Sequence, residues 1–247
     1  MSNEQTVAAL AGATGGAGTT RLTVEVGATL ARAGHSVALV DVAFATQGLA
    51  QYVPGRIETD LIDQMTDDDP RPAEAAVDVA TDTRARLVAC PSRAPFEALA
   101  RAKTAGAAER LGTVLDRLDD AFDRVLVDVP PVATNPAVAA VTEADSVALV
   151  TPGSARGVDA LQRSRARLTD VGTTDDLAVA NRDEDVPDGA VDLAVPESEI
   201  TAVEDAPACT APDEEFAPAV AALAGELFED SLDLSFPDPG FRERLLQ

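Results

Sequence analysis

The stretch AGATGGAGTTR, residues 11–21, decides the fold. It follows the apolar run VAAL at residues 7–10 and opens a pattern with Leu22, Val26 and Leu30 on one helical face. Strand, glycine-rich loop and helix start, in that order, describe a turn suited to phosphate. Main-chain N–H groups face the oxygens, and the positive end of the helix dipole lies behind them. Gly15, Gly16, Ala17 and Gly18 are the residues whose amides would form that nest. Position 19, where the usual G-K-[ST] places lysine, holds Thr19. The plain alternative is a tight strand-to-helix turn that binds nothing, since glycines permit that turn with or without phosphate.

Apolar runs at residues 6–11, 36–41, 86–90, 124–129, 146–151 and 177–181 alternate with helical patterns. That alternation predicts a doubly wound α/β fold, a mainly parallel sheet flanked by helices. Several runs are nearly continuous Val, Ala and Leu, as strands buried on both faces require. A short extra strand is expected at 191–195. Helices are expected at 20–33, stopped by Gly34, and along the stripe Leu111, Leu115, Leu118 and Phe122. Another starts at Asn135-Pro136, a capping side chain followed by proline. Two more are expected at 158–168 and 214–228, and DDDPRP at 67–72 reads as a polar surface loop. Residues 1–229 are expected to form a single domain, with 230–247 as a tail, either poorly ordered or packed as an irregular strap.

The chain has 247 residues, 43 of them acidic and 19 basic, for a formal charge of −24. Lys103 is the single lysine, and tryptophan is absent. This composition resembles that of cytoplasmic proteins from salt-loving organisms, in which a carboxylate-covered surface stays solvated; an ordinary acidic protein from a GC-rich genome is the alternative. So negative a surface has no general attraction for DNA phosphates or anionic lipids, which argues against non-specific nucleic-acid binding. Cys90 and Cys209 are too few for a disulfide framework or metal cluster and read as small buried or half-buried residues. MSNEQTV at the start has no basic-then-apolar leader, and no stretch has the ~18 continuous apolar residues of a membrane span, so the expectation is a cytoplasmic protein. The segment FRERLLQ at 241–247 invites comparison with a membrane-targeting helix, but it is short and its charges nearly cancel. His35, the sole histidine, falls between the first helix and second strand, a solvent-facing loop position.

Further segments fall into a recognisable order. VALVDVAF at 37–44 ends the second strand, VLVDVPP at 125–131 has an aspartate followed by a proline turn, and ADSVALVTP at 144–152 is a core strand closed by proline. LAVANR at 177–182 and VPESEI at 195–200 follow. Together with the loop, this order resembles the MinD/ParA group of P-loop ATPases, whose loop reads K-G-G-x-G-K-[ST], from about residue 6 to about residue 229. The resemblance implies ATP or ADP with Mg²⁺ as cofactor. It implies nucleotide contacts from Gly15, Gly16, Ala17, Gly18, Thr19 and Thr20. Thr20 would bind the metal with Asp41 or Asp128 through water. Asn181 would bond the adenine edge, with Arg182 stacking on or bracing that pocket. For Asp41 and Asp128 the plain alternative is a strand-end carboxylate that caps a neighbouring backbone, and for Asn181 a turn residue.

Three positions depart from the pattern. Thr14 stands where the family's signature lysine reaches a partner's phosphates, Thr19 where lysine neutralises the β- and γ-phosphates, and Ala43 where a second aspartate is associated with the attacking water. Phosphoryl transfer relies on positioning and charge stabilisation, and losing one positioned donor typically costs ~10²–10³ in rate. Arg21 is expected to point away from the nest; Arg156 is a candidate to enter it. The expectation is therefore a MinD/ParA-like protein with weak or no hydrolysis and no catalytic residue, which binds nucleotide weakly or not at all. It would regulate or scaffold intracellular positioning, with itself, an active paralogue or a cargo adaptor as partner. The alternatives are an active positioning ATPase with a substitute cation and a metabolic P-loop ligase.

Overall fold

The computed structural model describes residues 5–79, 81–182, 186, 189–210 and 215–237. Strand β1 (Val7–Gly12) sends alternate side chains to opposite faces. Val7, Ala9 and Ala11 enter one apolar core, and Ala8 and Leu10 the other. Period-two burial on both faces is what a central parallel strand needs. Helix α1 (Thr19–Ala33) follows the loop and ends at Gly34, one residue earlier at its start than expected from sequence. Strand β2 (Val37–Asp41) comes next.

A 3₁₀ turn (Gly48–Gln51) leads to the short helices α2 (Leu61–Thr66) and α3 (Pro72–Ala75), the edge strand β3 (Val77–Asp78) and β4 (Leu87–Cys90). Helices α4 (Phe96–Ala102) and α5 (Ala105–Asp119) precede β5 (Arg124–Val129). Then come α6 (Asn135–Glu143), β6 (Ser146–Pro152), α7 (Ala155–Asp170), β7 (Leu177–Asn181) and β8 (Leu193–Val195). Helix α8 (Phe216–Leu227) is the last.

The sheet has eight strands in the order β3-β4-β2-β5-β1-β6-β7-β8, and only β3 pairs antiparallel. The fold is a mainly parallel, doubly wound α/β sheet flanked by helices. From β1 the chain crosses to β2 on one side, and from β5 it crosses to β6 on the other. Opposed crossovers open a crevice at the C-terminal strand ends, where such sheets hold ligands. One core packs α5 and α6 against the sheet; the other packs α1 and α8.

The structure corrects several expectations. The stretch at 67–72 is not all surface loop: Pro70 and Pro72 are buried, and Pro72 opens α3. Phe122 lies beyond the end of α5. Helix α7 is longer than the expected 158–168, because Ser154 caps it and accepts from the Gly157 amide. Of the tail, residues 230–237 run as an irregular strap. Leu232 and Phe236 pack on the α1–α8 core, and Arg32 sits 5.0 Å over the Phe236 ring. FRERLLQ at 241–247 lies outside the described residues. Among the described residues no helix is long and apolar enough to cross a membrane.

Candidate functional site

Residues 13–18 join β1 to α1 at the crevice. Gly18 is the N-cap of α1 at φ 83°, and no side chain caps the helix. A helix start leaves its first N–H groups without internal partners. Among the described residues, no acceptor meets the amides of Gly15, Gly16, Gly18, Thr19 or Thr20. The loop's carbonyls, by contrast, are tied down. The Asn181 side-chain amide donates to the Ala17 carbonyl at 2.9 Å, and the Arg182 guanidinium donates to the Gly16 carbonyl at 2.6 Å. In a trans peptide the N–H points opposite to the C=O. Fixing those two carbonyls from one side therefore turns the amides of Ala17 and Gly18 toward the other. Gly18 is needed here on two counts: its backbone is left-handed, and a Cβ would lie 2.3 Å from Asn181 Nδ2.

Thr20 and the two strand-end aspartates form the second part. The Thr20 hydroxyl donates to Asp128 Oδ2 at 2.6 Å. Asp41 and Asp128 are register partners on adjacent strands. Burial pushes the Asp128 carboxyl up to about 8, helped by the Asp41 charge and opposed by the Thr20 hydroxyl. Burial likewise pushes Asp41 up to about 7, opposed by the backbone amides of Ser92, Leu49 and Ala43. The amides of Ala43 (3.0 Å) and Leu49 (3.3 Å) donate to its two oxygens, and the Ser92 amide lies 3.4 Å from Oδ2. Asp41 is wholly buried and braces the turns after β2 and β4; it does not line the cavity at the loop, whereas Asp128 does. The 3₁₀ turn closes over Thr20 so tightly that a Cβ on Gly48 would lie 2.8 Å from its methyl.

Two cavities meet here. The first, about 340 Å³, is lined by the loop, Thr20, Ala43, Thr46, Asp128 and Pro131. The second, about 260 Å³, is lined by Asn181, Arg182, Pro196, Ile200 and Phe216 among others. Gly18, Arg21 and Tyr52 line both. One N–H of the Asn181 amide is bound to the loop, which leaves its second N–H and its oxygen for a ligand in the second cavity.

The Arg21 guanidinium bonds to the next turn of α1, away from the loop. Its stem follows the helix, yet the residue lines both cavities. Its guanidinium donates to Glu25 at 2.6 Å and to the Ile200 carbonyl at 2.9 Å. Arg156 is exposed and lines neither cavity. Reasoning from sequence missed Tyr52, the chain's single tyrosine, and Glu25, a fully buried acid inside α1. His35 lies 3.2 Å from Asp230, at the opposite end of α1 from the loop.

Thr20 and Asp128 present hydroxyl and carboxylate oxygens, the donor set a hard divalent cation takes. Beside them lies a row of free amides suited to phosphate. The arrangement can hold an anion and its counter-ion. The lining of the first cavity supplies no lysine, and at position 43 it supplies a methyl group.

Solved structures share this architecture over nearly the whole chain. The cell division ATPase MinD of Pyrococcus furiosus superposes with a TM-score of 0.72 at 21% identity, covering 91% of this chain and 99% of that one. The septum site-determining protein MinD of Pyrococcus horikoshii, complexed with Mg-ADP, gives 0.71 at 20% identity, with 90% and 95% covered. A Cyanothece McdA(D38A)–ATP complex gives 0.70 at 18%, with 94% and 100% covered. No curated protein matches the sequence. The family model described as an AAA domain (AAA_31) matches residues 5–174. The chain belongs to that AAA_31 family and has the fold of the MinD/ParA-like P-loop ATPases.

Proposed function

We propose that this protein binds an adenine nucleotide with Mg²⁺ and hydrolyses it poorly or not at all. On this reading it is a regulatory or scaffolding factor in intracellular positioning. A second copy, an active paralogue or a cargo adaptor is its partner. One observation carries the reading. The free amides of the loop and the Thr20–Asp128 pair stand together, while Thr14, Thr19 and Ala43 occupy the three places where the resemblance implies two lysines and an aspartate.

The amides from Gly15 to Thr20 bind the phosphate chain, and the Asn181 oxygen and Arg182 border the base. Thr20 and Asp128 hold the metal ion, which when bound neutralises phosphate charge. Asp41 keeps the turns after β2 and β4 in register with Asp128. Among the described residues, Asp128 is the one carboxylate lining this cavity, and Ala43 stands where the resemblance implies a second that would orient a water. Binding is retained and charge stabilisation of the transition state is not.

Thermal unfolding followed alongside phosphate release tests this. A ligand that binds only the native state raises its stability by mass action. Mg-ADP and Mg-ATP are expected to raise the melting temperature, with phosphate release at the level of a protein-free blank. Release at the rate of an intact family member would overturn the proposal. The second reading, an active ATPase with a substitute cation, draws on Arg21, which lines the loop cavity. ATP-dependent dimerisation with turnover, followed by light scattering, would favour it.

A further inference from the structure

We infer that Arg21 is the cation of this phosphate cradle, and that it clamps the phosphate nearest the sugar rather than the terminal one. The inference rests on the nucleotide-binding reading above and adds to it a residue and a ligand preference.

Among the described residues lining the loop cavity, Arg21 is the single cation. Its place is specific. Gly18, Arg21 and Tyr52 belong to both cavities and so mark the join between them. A nucleotide with its base beside Asn181 and its phosphates on the loop has its first phosphate at that join. Thr14, Ala43 and Pro131, which line the loop cavity and not the second, add no positive side chain among the described residues.

Arg21 reaches a phosphate by a rotamer change. It donates now to Glu25 and to the Ile200 carbonyl, and its side chain is 20% exposed. Glu25 has further donors: the amides of Ala208 (2.8 Å) and Cys209 (2.9 Å) donate to its two carboxylate oxygens. A rotamer change would leave that carboxylate hydrogen-bonded at both oxygens. The guanidinium fork carries five donors, which suits bidentate contact with a phosphate.

A cation at the join serves a diphosphate and a triphosphate alike. The ligand class is therefore a nucleoside diphosphate or triphosphate, bound with little preference for the γ-phosphate. Tight binding through Arg21 is then compatible with slow hydrolysis, since the charge sits away from the bond that would break.

Isothermal titration of the full chain with Mg-ADP, Mg-ATP and adenosine tests this, using wild type, Arg21→Gln and Arg21→Lys. Circular dichroism melts would verify that both variants fold. Wild type is expected to bind ADP and ATP within a few-fold of each other and adenosine far more weakly. Losing a charged hydrogen bond typically weakens binding about 10- to 100-fold, so Arg21→Gln should weaken both nucleotides by that factor. Arg21→Lys, which keeps the charge and loses the bidentate fork, should fall between wild type and Arg21→Gln. Undiminished binding by a folded Arg21→Gln, or a strong wild-type preference for ATP over ADP, overturns the assignment of Arg21 alone. Absence of nucleotide binding by wild type overturns the nucleotide reading and this inference with it.

Discussion

Burial pushes the carboxyls of Asp128 and Asp41 above the ordinary carboxylate range. The folded value of Asp128 is raised to about 8 against 3.8 for the free side chain, and Asp41 is raised to about 7. Between those limits the folded chain binds more protons than the unfolded one. Stability from these groups is therefore fully present below 3.8 and is lost as pH rises toward about 8. Urea midpoints of the nucleotide-free protein are expected to fall between about pH 5 and about pH 8, and Asp128→Asn to flatten that fall. The same substitution should remove the magnesium dependence of nucleotide binding, since an amide is a poor ligand for a hard cation.

Gly18 gives a second test at this scale. Alanine there meets both the left-handed φ of 83° and the Asn181 amide, while Gly16, at φ 76°, has open space around it. Denaturant melts should show Gly18→Ala losing about 2 kcal/mol or more, and Gly16→Ala about 1 kcal/mol.

Helix α1 ties the loop to the far end of the chain. Glu25, one turn after Arg21, receives the amides of Ala208 and Cys209, and Arg32 donates to the Cys209 carbonyl at 2.8 Å and to the Ser235 carbonyl at 3.2 Å. Glu25→Ala would strand two buried amides and unpair Arg21. A loss of about 3 kcal/mol is expected in chemical denaturation. The acid was not visible as such from its position: it shares the buried face of α1 with Leu22 and Thr29, and its partners lie more than 180 residues away.

Elements buried on both faces were readable, because β1, β2, β5 and β6 leave nearly continuous apolar runs. Strand β3 has two residues and shows no period, and α4 buries only Ala102. Such short elements are set by their neighbours rather than by their own pattern.

At the scale of the whole molecule, the juxtaposition of the loop, Thr20 and Asp128 was legible because a strand end, a glycine-rich turn and a helix start mark their places in the sequence. The bonds of Arg21 to Glu25 and Ile200 and its place beside both cavities were not legible, since helical periodicity gives the direction of a Cβ and not the reach of a long side chain. The charge of −24 sits mostly on the surface, while Arg21, Arg32 and Arg124 tie distant segments together. Long-range attraction for phosphate is therefore weak, and any phosphate ligand has to be held locally, by main-chain amides and one arginine.

On the proposed reading, the cradle keeps its geometry while Thr14, Thr19 and Ala43 leave it without the two lysines and the aspartate. Phosphate release from Mg-ATP in high salt, compared between wild type and the combined variant Thr14→Lys, Thr19→Lys, Ala43→Asp, tests this most directly. Background release from wild type and measurable turnover from the variant are expected. Rapid magnesium-dependent turnover by the wild-type protein, unchanged or lowered in the variant, would contradict that reading.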